Sequence, residues 1–269
     1  MTTSPGSRRA VLQQVAERLA GFGALSAADI ARIVELPGEA PSRARGADVT
    51  VQMFEGPHVV LSGWACQMRP EEKRRRQIFG FIVPGDIIGS FWRNPNFSFF
   101  RAVALTRLEL LPAVTLLSTR SDGALSNPSI VAAARRAEEH SQHLIFDHMV
   151  RLETRDAYRG LASLLLEIHE RLKRVGMVVD GVFRLPIGQR VLAQALGLSV
   201  AHTNFTLQRM AADGLFEANG DAIRLLQPQR MTDLAGRSDE DGPYSPGVFL
   251  APNANLRDQS ETYQDYIRA

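Results

Sequence analysis

Cysteine occurs once in the 269 residues, as Cys66. A single thiol forms no intrachain disulfide, and it supplies neither the cysteine set of an iron–sulfur cluster nor that of a structural zinc site. Cys66 reads as a buried, inert thiol, with a redox or nitrosation sensor as the alternative. Long apolar runs are also missing. No stretch approaches the roughly eighteen consecutive apolar residues of a membrane span, and the amino terminus lacks a signal-peptide core. These absences predict a cytoplasmic chain with no membrane partner. Catalytic constellations are equally scarce: no nucleophile–base pair, metal triad or glycine-rich phosphate loop stands out. Gly85 and Gly89 alone make too sparse a pattern for a nucleotide-using enzyme, so no enzyme class is expected.

Excess charge of one sign is small, at +2 overall. Its distribution is uneven, however. Residues 232–269 hold seven acidic residues against three arginines, a net −4, which leaves +6 on residues 1–231. A basic body with an acidic tail suits a polyanionic partner, and equally a solvated surface. What the chain does have is a 45% hydrophobic content, enough for one large domain or two ordinary ones.

Along the chain, residues 1–24 form an amino-terminal extension in which Arg8–Leu19 can make an amphipathic helix. Ser26-Ala27-Ala28-Asp29 has the form of a capping box. From Val49 to Pro112 the pattern becomes β-rich. The runs Val49–Phe54, Val59–Met68, Gln77–Val83 and Val103–Leu111 are separated by turn material, and their spacing predicts a small antiparallel barrel or sandwich within residues 25–127. The basic run Lys73–Arg76 reads as a solvated hairpin tip.

Pro128 opens a long helix, assigned to residues 128–155. Ile130, Ala134, Ala137, Ser141, Leu144 and His148 alternate at spacings of three and four, a stripe suited to a partner helix and so to a homodimer. The alternative is packing within its own domain. His140 and His143 share a face, but no carboxylate or thiol completes a metal shell around them. A second helix follows from Asp156 to Val175, buried through Leu161, Leu164, Leu165, Ile168 and Leu172, with Gly176 as its stop.

The richest segment follows. Ile187 to Ala195 reads as a short helix, Leu196-Gly197-Leu198-Ser199 as a tight turn, and Val200 to Met210 as a second helix capped by Ser199. Such a turn crosses two helices at the angle that places the second in a major groove of double-stranded DNA. Thr203, Leu207 and Met210 face inward. Val200, Ala201, Asn204, Gln208 and Arg209 face outward. Asn204 and Gln208 are candidates for paired hydrogen bonds to adenine, and Arg209 for base or phosphate. His202 caps, meets phosphate or packs. Leu215–Ala218 and Ala222–Leu226 form a hairpin about Asn219-Gly220-Asp221, a wing that brings Arg224 toward phosphate. This DNA-binding unit is assigned to residues 156–231. Residues 232–269 form an acidic extension in which Tyr244, Phe249, Tyr263 and Tyr266 can anchor; it covers a DNA-facing or dimer surface, or merely ends the fold.

Taken together, LSGWACQMR, RRQIFGFIVPGDIIG, RAVALTRLELLPA and LPIGQRVLAQALGLSVAHTNFTLQRMAADGLF resemble the Crp/Fnr family of bacterial regulators, in order, over roughly residues 25–230. The resemblance implies an α+β chain with a cyclic-nucleotide-binding-like antiparallel β-barrel, a long dimerisation helix and a winged helix-turn-helix. It implies a homodimer on partly symmetric DNA that recruits or obstructs RNA polymerase. The effector region transfers poorly. Gly85, Asp86 and Gly89 match the family's segment, but Ser90 stands where cyclic AMP binders have glutamate. Ser98 stands at the phosphate-binding arginine, with Arg101 as an alternative substitute. The aromatic residues Phe91, Trp92, Phe97, Phe99 and Phe100 make the region apolar. It holds either an unidentified small-molecule effector or a filled core, and cyclic AMP is disfavoured. An iron–sulfur cluster is disfavoured by the missing cysteines, and haem by the lack of any motif around His58 or His148. In the recognition helix, Ala201 and Phe205 replace the family's base-reading glutamate and arginine, and Val200 replaces a backbone-contacting arginine. Phe205 packs on a thymine methyl or covers the domain's own core. The alternative to a DNA-binding regulator is a dimeric interaction or ligand-sensing protein that keeps the fold without DNA.

Overall fold

Reciprocal hydrogen bonds close the expected capping box at residues 26–29. The Asp29 N–H donates to Ser26 Oγ at 3.1 Å, and the Ser26 N–H donates to the Asp29 carboxylate at 3.0 Å. They open α2 (Ala27–Val34), which packs beside α1 (Pro5–Ala20). The computed structural model describes residues 5–69, 77–89, 101–117, 125–154 and 156–236. The basic run Lys73–Arg76, the aromatic cluster at residues 91–100, and the tail from 237 onward lie outside the described residues, as do Ser90 and Ser98.

The β-rich region contains β1 (Ser42–Arg43), α3 (Thr50–Glu55), β2 (His58–Ser62), β3 (Ala65–Arg69), β4 (Gln77–Ile82), β5 (Ile87–Ile88), β6 (Arg101–Ala104), β7 (Leu108–Pro112) and α4 (Val114–Leu117). The expectation of a closed antiparallel barrel is corrected here. Among the described residues the strands form two separate antiparallel sheets, ordered β1-β7-β2-β5 and β4-β3-β6. Two runs that read as single long strands are each broken in the middle. Gly63-Trp64 divides β2 from β3, and Leu105–Arg107 divides β6 from β7, so each run crosses from one sheet to the other. The Leu105 N–H donates to the Trp64 carbonyl at 2.7 Å, pairing the two crossings with each other. A ladder that ends at both crossings leaves two sheets face to face. Val60, Leu108 and Leu110 of the first meet Ala65, Ile82, Ala102 and Ala104 of the second in one buried cluster.

Val49–Phe54, expected as a strand, contributes a helix instead. The Asp48 carboxylate accepts from the Thr50 N–H at 2.9 Å and starts the turn, while Val49 is buried. Local side-chain bonding outweighs β-propensity at this point.

The long helix α5 (Pro128–Thr154) forms as expected. The first part of its stripe is covered within the chain: Ile130, Ala134 and Ala137 are buried in a cluster with Val11, Leu12, Val15 and Leu19 of α1. Next come α6 (Ala157–Arg174), β8 (Val182–Arg184), α7 (Gln189–Leu196), α8 (Val200–Ala212), β9 (Phe216–Asn219), β10 (Ala222–Leu225) and α9 (Pro228–Leu234). Asp156 caps α6 by accepting from the Arg159 N–H at 2.8 Å, and all five predicted core positions of that helix are buried. The same α6 face shares one buried cluster with Trp64 at the crossing, with Cys66, Met68, Ile78 and Phe81 of the second sheet, and with Leu192, Leu196 and Met210 of the helix pair beyond. One apolar core therefore runs from the β4-β3-β6 sheet into the carboxyl-terminal helices. No helix among the described residues is long and apolar enough to cross a membrane.

Candidate nucleic-acid interface

A left-handed residue is required between α7 and α8, and Gly197 supplies it with φ 66°. Ser199 then caps α8: its hydroxyl accepts from the His202 N–H at 3.1 Å, a cap worth about 1 kcal/mol. Thr203, Thr206 and Met210 form the buried side of α8. Thr203 and Thr206 stay buried because their hydroxyls donate back to the carbonyls of Ser199 and His202, at 3.0 and 2.8 Å. Thr206 was not legible as a core position, since nothing in a threonine signals that a carbonyl one turn earlier will take its proton.

The opposite side of α8 presents Ser199, Val200, Ala201, His202, Phe205, Gln208 and Arg209 to solvent, with Asn204 half-buried at its edge. The expectation that Phe205 covers the domain's own core is not met, because 63% of its surface is exposed. Asn204 is tied into the interface by a residue the sequence did not single out. The Gln189 side chain, at the start of α7, donates from Nε2 to Asn204 Oδ1 at 3.1 Å. That bond engages the Asn204 carbonyl oxygen and not its amide hydrogens.

Arg209 also has a support unseen in the sequence. Its guanidinium lies 5.2 Å from the ring centre of Tyr158, at the start of α6, and the Tyr158 hydroxyl donates to Asp213 at 2.6 Å. Partial burial and this bond to the Asp213 carboxylate push the Tyr158 phenol up to about 12. A phenol raised from its ordinary value near 10 contributes stability that is complete below pH 10 and is lost as pH climbs toward 12. Alkaline titration of phenolate absorbance should show one tyrosine ionising about two units late, and Tyr158→Phe should remove that step. A single step near the ordinary value would count against the bond.

The wing has three strands rather than the expected two, ordered β8-β10-β9. Asn219 pairs with Ala222, which leaves Gly220-Asp221 as the two-residue loop, and Gly220 takes the positive φ that the sequence suggested for the Asn-Gly step. Arg224 is half-exposed and pairs with Glu217 across the hairpin at 3.5 Å, while Arg184 on β8 pairs with Asp221 at 2.7 Å. Both are exposed pairs of the kind that phosphate readily replaces.

At the amino-terminal end, the described residues of the expected effector region occupy several settings. Asp86 is buried in an ion cluster. Arg18 of α1 reaches its Oδ1 at 3.0 Å, Arg171 of α6 reaches its Oδ2 at 2.6 Å, and the Val83 N–H donates to it at 2.8 Å. Arg171 also donates to the Phe81 carbonyl at 2.8 Å and pairs with Glu167 at 3.4 Å, and Arg18 donates to the Gly85 carbonyl at 3.1 Å. Arg101 is exposed and lies 3.9 Å from Asp48. Gly89 and Asp86 border a partly open cavity of about 70 Å³, which Gln67, Ser141, His148 and Glu167 also line. Ser141, Leu144 and His148 of the α5 stripe thus face this space. His58 is buried, with its ring nitrogen Nδ1 2.9 Å from the Gly56 carbonyl, and Cys66 is buried beside Trp64 and Phe81. Among the described residues, no group of three or more His, Cys, Asp or Glu could hold a metal ion.

Comparison with known proteins places these features in company. Residues 161–234 match the model of the Crp-like helix-turn-helix domain. The chain is 28% identical over 165 residues to the transcriptional activatory protein AadR of Rhodopseudomonas palustris, a stretch covering 60% of this chain and 65% of AadR, just under two thirds of that relative. It is 29% identical over 191 residues to the nitrogen fixation regulation protein FixK of Bradyrhizobium diazoefficiens, covering 70% of this chain and 76% of FixK. Among solved structures, FixK2 from Bradyrhizobium japonicum has a similar fold, with a TM-score of 0.61 at 22% identity over 76% of this chain and 100% of that one. TTHA1359, a transcriptional regulator of the CRP/FNR family from Thermus thermophilus, gives 0.52 at 18% identity over 74% and 98%.

Proposed function

From a chain that belongs to the Crp/Fnr family of transcription regulators, we propose a homodimeric regulator that reads a specific, partly symmetric DNA site through α8. The family is one of non-catalytic regulators, and its Crp-like helix-turn-helix binds DNA. The observation that carries the reading is the exposed face of α8, capped at Ser199, set by Gly197 and bordered by Arg209 and the wing arginines Arg184 and Arg224. Asn204 and Gln208 are the proposed base readers, and Ser199, His202, Arg209 and Arg224 the phosphate contacts.

A partly symmetric site suits two copies of the chain, with α5 as the proposed dimer helix. Because α1 already covers Ile130, Ala134 and Ala137, the contact between protomers uses the side of α5 that carries the exposed Ala132 and Glu139. A small effector, where one acts, has the cavity between β4, α5 and α6 as its place, with no cofactor required. RNA polymerase is the proposed protein partner.

Selection of bound duplexes from a random or genomic library by the purified chain tests the reading. Asn204→Ala with Gln208→Ala should weaken selected sites at least about tenfold while leaving bulk DNA binding nearly unchanged. Equal loss on both would remove them as base readers. A second reading, a family member that has given up DNA, draws support from the uncharged Val200, Ala201 and Phe205 on the exposed face. Indifference to every duplex at low salt would favour it.

A further inference from the structure

We infer that α8 also reads thymine C5-methyl groups, with Phe205 as a further specificity-determining residue beside Asn204 and Gln208 and with Val200 and Ala201 next to it. The inference rests on the DNA-binding reading above and names what is read. Seven large hydrophobic side chains among the described residues are exposed, and two of them, Phe205 at 63% and Val200 at 44%, lie on this one helix. Phe205 is the only aromatic of the seven. Positions 201, 205 and 208 follow the i, i+4, i+7 rule and share one face, so a phenyl ring stands between Ala201 and Gln208 on the surface that enters the groove.

Exposed apolar surface of this size carries a free-energy cost that only an apolar partner recovers. In the major groove of duplex DNA, the one apolar group is the thymine methyl. The helix carries no acidic residue that would repel phosphate or seek cytosine, and Arg209 follows Phe205 by one turn. The apolar centre is therefore framed by polar readers and a cation, an arrangement that fits a base edge better than an apolar protein patch. Val200, in the first turn beside the Ser199 cap, extends the apolar strip toward the helix start, where base contacts concentrate.

The experiment uses the full chain on its selected duplex, with each thymine of a half-site replaced in turn by deoxyuridine. That exchange deletes the methyl and keeps the pairing edge. Binding followed by fluorescence anisotropy should weaken about fourfold at each contacted thymine, the worth of one buried methyl. Phe205→Ala should bind thymine and deoxyuridine duplexes alike at the main position, with the wild-type dependence on salt. Phe205→Leu should keep part of the methyl preference. Because the side chain is exposed, both variants should melt with the wild-type midpoint. Wild-type affinity that ignores the methyl at every position, or a Phe205→Ala protein that keeps the full preference, overturns the assignment and leaves DNA reading intact. Failure to prefer any duplex sequence overturns both.

Discussion

Asp86→Ala is expected to lower the stability of the chain by about 3 kcal/mol, at the lower end of what removing one partner of a buried ion pair costs. Three ionic side chains meet there with little solvent: Asp86 is 12% exposed, Arg18 14% and Arg171 10%. Without the carboxylate, Arg18 keeps only the Gly85 carbonyl, and the Val83 N–H loses its acceptor. Arg171 retains Glu167 and the Phe81 carbonyl, which holds the cost toward the low end. Asp86→Asn preserves an acceptor without the charge and should fall between the two. The contrast with Asp221 decides whether burial is the cause. Its partner Arg184 is as close, at 2.7 Å, but the pair is 42% and 76% exposed, so Asp221→Ala should cost less than about 1 kcal/mol. Urea unfolding followed by circular dichroism measures all three. An Asp86→Ala loss no larger than that of Asp221→Ala would show that the cluster contributes nothing to stability. Because Arg171 lies on α6, within the helix-turn-helix region, and Asp86 lies on the sheet side, the same variant should also loosen the join between them. Hydrogen exchange in α6 reports this directly.

Gly63→Ala should be worse still where it matters, at the crossing between the two sheets. Gly63 adopts φ +82°, and a Cβ there would stand 1.9 Å from the Arg107 carbonyl oxygen and 2.8 Å from Leu108 Cα. Those neighbours are backbone, so relief requires the paired crossing at residues 105–107 to move. The left-handed backbone alone costs an L-residue about 1–2 kcal/mol, and displacing the adjoining strand should bring the total above about 3 kcal/mol. Gly46 is the control. It has φ +84° with nothing within 4 Å of its Cβ position, so Gly46→Ala should show the backbone cost by itself. Equal thermal shifts for the two variants would mean that the close approach to Arg107 does not constrain the fold.

Much of the helical half was legible because its signals are local. The leucines of α6 repeat at helical spacing, Asp156 and Ser199 sit where N-caps are needed, and Gly197 sits where the backbone must turn left. Each of these is decided within a turn or two of the residue that signals it. The β-rich half was less legible. A run such as VVLSGWACQM reads as one strand, since Val59, Val60 and Trp64 favour extension and no proline interrupts it, and only the approach of residues 105–107 reveals that the chain changes sheets there. Phe205 stayed between two readings for a similar reason: an aromatic residue in an amphipathic helix usually packs inward, and only its exposure beside the buried Thr206 sets the core reading aside.

By itself, then, the sequence determined the succession of a β-rich half, a long helix and a capped helix pair with its wing, and a recognition face lacking charge at residues 200, 201 and 205. These depend on spacing, caps and residue type along a short stretch of chain. Tertiary structure alone decided that the strands make two sheets and that α1 covers the first half of the α5 stripe. It alone joined Arg18, Asp86 and Arg171, residues 68 and 85 positions apart in their pairs. No local pattern specifies such pairs, because burial in a shared core is what makes the meeting of distant charges obligatory.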